Sequence, residues 1–101
     1  METPDIATVA DKLRLRAEQM DAIGGTVLID TEEQGIFIDG HSSPLSVTCS
    51  REEADCRVRM KLSLLDDILE GRRKAFTAFM TGKIGINGDM SVAIKLQPLL
   101  R

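Results

Sequence analysis

Ala75-Phe-Thr-Ala-Phe-Met-Thr-Gly-Lys-Ile-Gly-Ile-Asn-Gly-Asp-Met-Ser-Val-Ala-Ile-Lys-Leu-Gln-Pro-Leu-Leu100 carries the densest run of structural signals in the chain. Phe76, Phe79 and Met80 fall at i, i+3 and i+4, so they share one helical face. Gly82 stands where a helix C-cap glycine belongs, free to take positive φ. Ile84 and Ile86 alternate with Gly85 and Asn87, the period of a half-buried strand. Gly88 turns the chain, and Asp89 is placed to cap a second helix. In that helix Met90, Ala93, Ile94 and Leu96 or Gln97 form one broad apolar stripe. Pro98 lacks an N–H and crowds the preceding turn, so the helix ends or kinks near Gln97.

Upstream, Leu64, Leu65, Ile68 and Leu69 give the buried stripe of another helix, stopped by Gly71. Ser63 is its expected N-cap, with Asp66 as the reciprocal residue of a capping box. Arg72-Arg-Lys74 reads as a solvated corner able to pair with Asp66, Asp67 and Glu70, or as a contact for phosphate or membrane. Four strand patterns precede it. Thr26–Thr31 and Gly35–Gly40 flank a turn, while Leu45–Ser50 and Cys56–Leu62 alternate cleanly. Leu45, Val47 and Cys49 share one face, as do Cys56, Val58, Met60 and Leu62, against Arg57, Arg59 and Lys61 on the other. Their short connection makes the last two a hairpin on pattern alone. At the N-terminus Ile6, Val9, Ala10, Leu13, Ala17 and Met20 trace a helical stripe, with Thr3 or Asp5 as cap and Pro4 tolerated in the first turn. Its polar face is mixed in charge, which favours packing on a sheet over lying on a membrane.

A chain of 101 residues, 43 % apolar, builds one domain over 1–101 with one core. Three Phe and no Trp or Tyr leave that core to aliphatic residues and five Met, which suit an irregular or adaptable cavity or simply fill gaps. Net charge is −3 with the signs interspersed, so nucleic acid is not an expected partner. No signal peptide or membrane-length apolar run is visible, and Leu99-Leu-Arg101 is not a peroxisomal address, so the expectation is a cytoplasmic protein. Cys49 and Cys56 lack metal-ligand spacing and read as reduced core thiols, and His41 as a solvated loop residue. Gly82, Gly85 and Gly88 do not form a dinucleotide fingerprint, and there is no nucleophile elbow or carboxylate–histidine cluster. The expectation is therefore a protein without enzymatic activity, cofactor or metal.

The run FMTGKIGINGDMSVAIKLQ, Phe79 to Gln97, resembles the C-terminal signature of the sterol carrier protein 2 family: an aromatic residue, Gly-Lys, a strand, Gly-Asp-Met, and an apolar helix ending near Lys-Leu-Gln. The resemblance is to a small stand-alone member of bacterial type. It implies an α+β fold whose mixed, mostly antiparallel five-stranded sheet has one face covered by helices, in the order α-β-β-β-(crossover)-β-α-α-β-α. That crossover, in place of the hairpin, puts the fourth strand beside the first and separates Cys49 from Cys56. The resemblance also implies non-enzymatic binding and transfer of a long-chain or sterol-like lipid in a tunnel between sheet and helices. Phe76, Met80, Ile84, Ile86, Met90 and Ile94, read as inward-facing, are the expected lining. Gln97 is a candidate hydrogen-bond partner for the ligand's polar end, or a surface amide at a helix end. Leu62, Ile68 and Ile94 are expected core positions. Expected partners are the lipid and, transiently, a membrane, for a monomer or weak dimer. The alternatives are a protein-interaction module and an accessory subunit of a lipid- or quinone-biosynthetic complex.

Overall fold

The computed structural model describes residues 5–32 and 34–100. In chain order it forms α1 (Ile6–Ala17), β1 (Thr26–Asp30), β2 (Gly35–Asp39), β3 (Ser46–Thr48), β4 (Cys56–Arg59), α2 (Leu62–Leu69), α3 (Ala75–Met80), β5 (Gly85–Gly88) and α4 (Met90–Leu96), then a 3₁₀ turn over Gln97–Leu100. The sheet order is β3-β2-β1-β4-β5, with β1 parallel to β4 and the other pairs antiparallel. This is the crossover topology, and β3 and β4 do not form a hairpin. Neither cysteine is in a disulfide; Cys56 is buried, whereas Cys49, expected inside, lies exposed just beyond β3.

Registers explain which face holds the core. Val27 and Ile29 of β1 stand opposite Ile38 and Ile36 of β2, and opposite Cys56 and Val58 of β4. Val47 and Ile86 extend that apolar face to the two edges. Onto it pack α1 through Val9, Ala10, Leu13 and Ala17, α2 through Leu64, Leu65, Ile68 and Leu69, and the C-terminal segment through Val92, Leu96 and Leu99. Polar groups on α1 complete the docking. Lys12 pairs with Asp66 on α2 and with Glu70, the residue that caps its C-terminus. Arg16 donates to the Leu69 carbonyl at 2.8 Å and the Leu99 carbonyl at 3.3 Å, satisfying two acceptors that helix ends leave open. The expected helix-on-sheet packing of α1 is therefore what forms. Asp5 is its N-cap residue without a side-chain hydrogen bond, and Thr3 and Pro4 lie outside the described residues.

Two local expectations change. Lys61, not Ser63, is the N-cap of α2, and no capping box closes. Asp66 instead accepts from Lys12 at 2.5 Å and Arg72 at 3.0 Å, and these bonds, Lys12 foremost, hold its carboxyl below the usual range. Of the expected core positions Ile68 is buried, Leu62 is half-buried at the first turn of α2, and Ile94 is exposed.

The second face of the sheet is not bare. A Cβ on Gly35 would stand 2.7 Å from Arg51 Cγ and 2.9 Å from the Ser50 carbonyl, so the β3–β4 connection runs across this face. Beneath it Asp30 is only 4 % exposed. Its carboxylate accepts from Arg51 Nη1 at 2.8 Å and Nη2 at 3.2 Å, from Arg57 Nε at 3.0 Å and Nη2, and from the Glu32 backbone N–H at 2.9 Å. A buried carboxylate needs such company, and the two guanidiniums, Arg51 first, hold its pKa far below the usual range.

Candidate functional site

Edge strand β5 and the two short helices on either side of it are built by the signals read in Ala75–Leu100. The C-terminus of α3 closes as a Schellman motif: Lys83 N–H donates to the Ala78 carbonyl at 2.9 Å and Gly82 N–H to Phe79 at 3.1 Å, with Gly82 at φ +78°. At α4, Asp89 accepts from the Ser91 N–H at 2.9 Å and the Ser91 hydroxyl at 2.5 Å, which lowers its pKa. Asp89 N–H in turn donates to the Asp55 carbonyl at 2.8 Å, pinning the helix start to the segment before β4. Gly88, at φ +102°, leaves no room for a side chain: a Cβ there would stand 2.4 Å from the same carbonyl.

The apolar side chains of this lobe divide between two destinations. Ile84 is buried at 6 % exposure, Ile86 is half-buried against the core, and Ala78 is the buried residue of α3. Phe76, Met80 and Ile94 are 72 %, 66 % and 61 % exposed, and Met90 and Phe79 are exposed too. The inward reading of Phe76, Met80, Met90 and Ile94 is thus corrected. Small Ala78 lets α3 sit down on its narrow side, which turns its large residues outward. In α4, apolar residues at 90, 92, 93, 94 and 96 leave periodicity with no single answer. The Asp89 anchor sets a phase in which Val92 and Leu96 enter the core and Met90 and Ile94 face away. Gln97 is exposed at the junction of α4 with the 3₁₀ turn.

Five large apolar residues are left exposed on the two short helices that flank β5 in the chain, and the fold gains little from them. Full burial of a fully exposed side chain of this size is worth about 1.5–3 kcal/mol, and each forgoes a part of that in proportion to its exposure. Such patches mark contacts with something apolar.

Two clefts of about 510 and 450 Å³ are polar by comparison. The larger lies between the β4–α2 junction and the turn after α3; its wall is mixed in charge, with Arg59, Lys61, Arg73 and Lys83 against Asp30, Glu32 and Asp67. The smaller lies under the crossover segment between Leu28, Arg51 and Arg57. Sequence reading did not anticipate either one, or Phe79 as an exposed member of the lobe. The run Arg72–Lys74 was the available signal: Arg72 pairs with Asp66 and Asp67, and Arg73 approaches Asp67 at 3.8 Å. Among the described residues no group of His, Cys, Asp and Glu is arranged to hold a metal ion, and no helix is long and apolar enough to cross a membrane.

Comparison with known proteins places these features in a wider set. The model of the SCP-2 sterol transfer family matches residues 7–101. Bovine sterol carrier protein 2 is 44 % identical over 50 residues, half of this chain but 9 % of that protein's length. Bovine hydroxysteroid dehydrogenase-like protein 2 is 34 % identical over 77 residues, 76 % of this chain and 17 % of that protein. The chain thus corresponds to a small part of the curated relatives it matches. Among solved structures, that of palmitated SCP2L2 from Aedes aegypti superposes with a TM-score of 0.76 at 21 % identity, covering 97 % of this chain and 96 % of that one. A ubiquinone synthesis protein, UbiJ-SCP2, superposes at 0.60 with 17 % identity, covering 98 % and 80 %. At these identities the superpositions show a shared fold.

Proposed function

This chain belongs to the SCP-2 sterol transfer family, and from that premise we propose that it binds a fatty-acyl or sterol-like lipid and transfers or presents it without chemical catalysis. The observation that carries the reading is the set of large apolar side chains that α3 and α4 leave exposed. The lipid tail lies between these helices over Ile86, and the helices draw onto it, taking Phe76, Met80, Met90 and Ile94 out of water. Ile84 forms the floor. Gln97 offers an amide to the polar end of the lipid. Burying roughly ten methylenes at about 0.8 kcal/mol each supplies the ~8 kcal/mol of micromolar binding, with burial of the protein's own side chains offsetting association costs. Dispersion contacts do not read headgroups, so selectivity among long-chain lipids is loose. The palmitated state of the Aedes relative supports a fatty-acyl ligand as one member of that range.

A second reading, presentation of a lipid-like intermediate within a biosynthetic complex, draws support from the likeness to UbiJ-SCP2. It uses the same lobe and differs in the recipient.

Titration with a fluorescent long-chain fatty acid tests the proposal. Wild type is expected to saturate in the micromolar range, and Phe76→Asp and Ile94→Asp, both on exposed positions, to bind at least about tenfold more weakly. Absence of saturable binding, or unchanged binding by both variants, would overturn it.

A further inference from the structure

The cleft of about 510 Å³ holds more positive charge than its own acids answer. Two of the three acids in its wall are satisfied by cations outside it. Asp30 takes the guanidiniums of Arg51 and Arg57, and Asp67 takes Arg72 Nε at 2.8 Å ahead of Arg73 at 3.8 Å. Arg59 stands in register with Asp30 across the β1–β4 pair, yet that carboxylate leaves it without an ion pair. Among the described residues Lys61 and Lys83 form no ion pair either, and Glu32 is the one acid of the wall in the same condition. Three unpaired cations against one unpaired carboxylate leave an excess of two positive charges. Arg59 is also held in place by what β5 lacks. A Cβ on Gly85 would stand 3.3 Å from Arg59 Nη2 and 3.5 Å from Nε, so the guanidinium lies over the glycine of the neighbouring strand. Lys61 is the N-cap residue of α2 and Lys83 follows the Gly82 turn, so separate elements bring the cations to one cleft. No side chain caps α2, and Ser63 and Leu64 of its first turn line the same cleft.

We propose that this cleft binds a small phosphomonoester. Such a group carries about −1.5 to −2 charge near pH 7, which matches the excess. Its three oxygens suit one guanidinium fork and two ammonium groups, whereas a single carboxylate would leave a cation unanswered. The volume is that of a small-molecule site. No aromatic ring stands in the wall for a base to stack on, so the phosphate sits on a small polar body, a sugar or polyol, and not on a nucleotide. Neither Gln97 nor the exposed apolar residues of α3 and α4 line this cleft, so the inference does not rest on the lipid-carrier reading. A soluble metabolite and a lipid headgroup can both carry the group, and the arms of the test tell them apart.

Titration of ¹⁵N-labelled protein with glycerol 3-phosphate tests it. The amides of Arg59, Ser63, Lys83 and Gly85 are expected to shift saturably with a Kd below about 1 mM, and glycerol at the same concentration to shift none of them. Arg59→Gln and Lys83→Gln should each weaken binding about tenfold, as loss of one hydrogen bond to a charged group does. Glu32→Gln removes the opposing carboxylate and should tighten binding. Lys95→Gln, on α4 and outside the cleft, should bind like wild type. All four positions are exposed, so the variants should keep their circular dichroism and their affinity for a fluorescent fatty acid, which separates failure here from failure of the lipid reading. Lysophosphatidic acid below its micelle concentration carries the same headgroup on an acyl chain. Arg59-dependent binding no tighter than that of glycerol 3-phosphate, with the fluorescent fatty acid still bound, supports the site with a soluble ligand. Tighter Arg59-dependent binding that displaces the fatty acid supports it with a lipid headgroup. Shifts reproduced by sodium chloride at equal ionic strength, unchanged affinity in both Arg59→Gln and Lys83→Gln, weaker binding by Glu32→Gln, or an equal loss in Lys95→Gln would each overturn the proposal.

Discussion

Replacing Asp30 with Asn isolates the one buried charge of the sheet. The carboxylate accepts five hydrogen bonds, four from the guanidiniums of Arg51 and Arg57 and one from the Glu32 N–H. Asn keeps a single carbonyl oxygen and turns an NH₂ group toward two cations. Hydrogen bonds to charged groups contribute about 1.5–3 kcal/mol each in isolation, but both arginines are more than 40 % exposed and recover hydration when released. The expected cost is therefore about 2–3 kcal/mol in total, below the ~3–5 kcal/mol of breaking a fully buried pair. The pH dependence gives a second check. Asp30 titrates lower in the folded than in the unfolded chain, so its contribution is complete above the unfolded pKa and fades as pH falls toward the folded one. At pH 3, about one unit below the unfolded value, roughly 1.3 kcal/mol of it is gone. Equilibrium urea unfolding of wild type and Asp30→Asn at pH 7 and pH 3 should show the gap between them narrowing by that amount. A gap under about 0.5 kcal/mol at pH 7, or one equal at both pH values, would refute the assignment of Asp30 as a charge-holding hub.

Two further outcomes follow from burial. Leu65→Ala removes a fully buried side chain and should cost about 2–5 kcal/mol in urea unfolding, whereas Ile94→Ala, on the exposed side of α4, should change stability by less than about 1 kcal/mol. Cys49 should react with a thiol reagent at once in the native protein. Cys56, whose thiol pKa is raised by burial and then by Asp89, should react only as the chain unfolds, and a fast second thiol would contradict its position on β4.

Much of the fold was legible because its signals are local. Gly82 and Asp89 each act within a few residues, and the alternation in β4 survives into the structure as Cys56 and Val58 inside, Arg57 and Arg59 outside. The crossover was not legible from spacing, since a short connection reads as a hairpin; it entered through the family resemblance. Asp30 gave no sign of its role, because its partners lie 21 and 27 residues away on the crossover segment and a neighbouring strand. The capping box at Ser63 failed for a similar reason: Lys12, 54 residues away, takes Asp66. The lobe itself was found by sequence, but the directions of its side chains were not. Two short helices with apolar residues on more than one side take their phase from Ala78 and from the Asp89–Asp55 contact, which are tertiary facts.

The central claim is that a lipid binds this lobe, and backbone amide shifts read it most directly. With ¹⁵N-labelled protein titrated with a soluble long-chain fatty acid, the amides of residues 75–97 should shift saturably and together. Those of Gly35, Arg51 and Arg57, on the far face of the sheet, should stay in place. Saturable shifts confined to α1 or to the Asp30 face, or no saturable shift anywhere, would contradict the account.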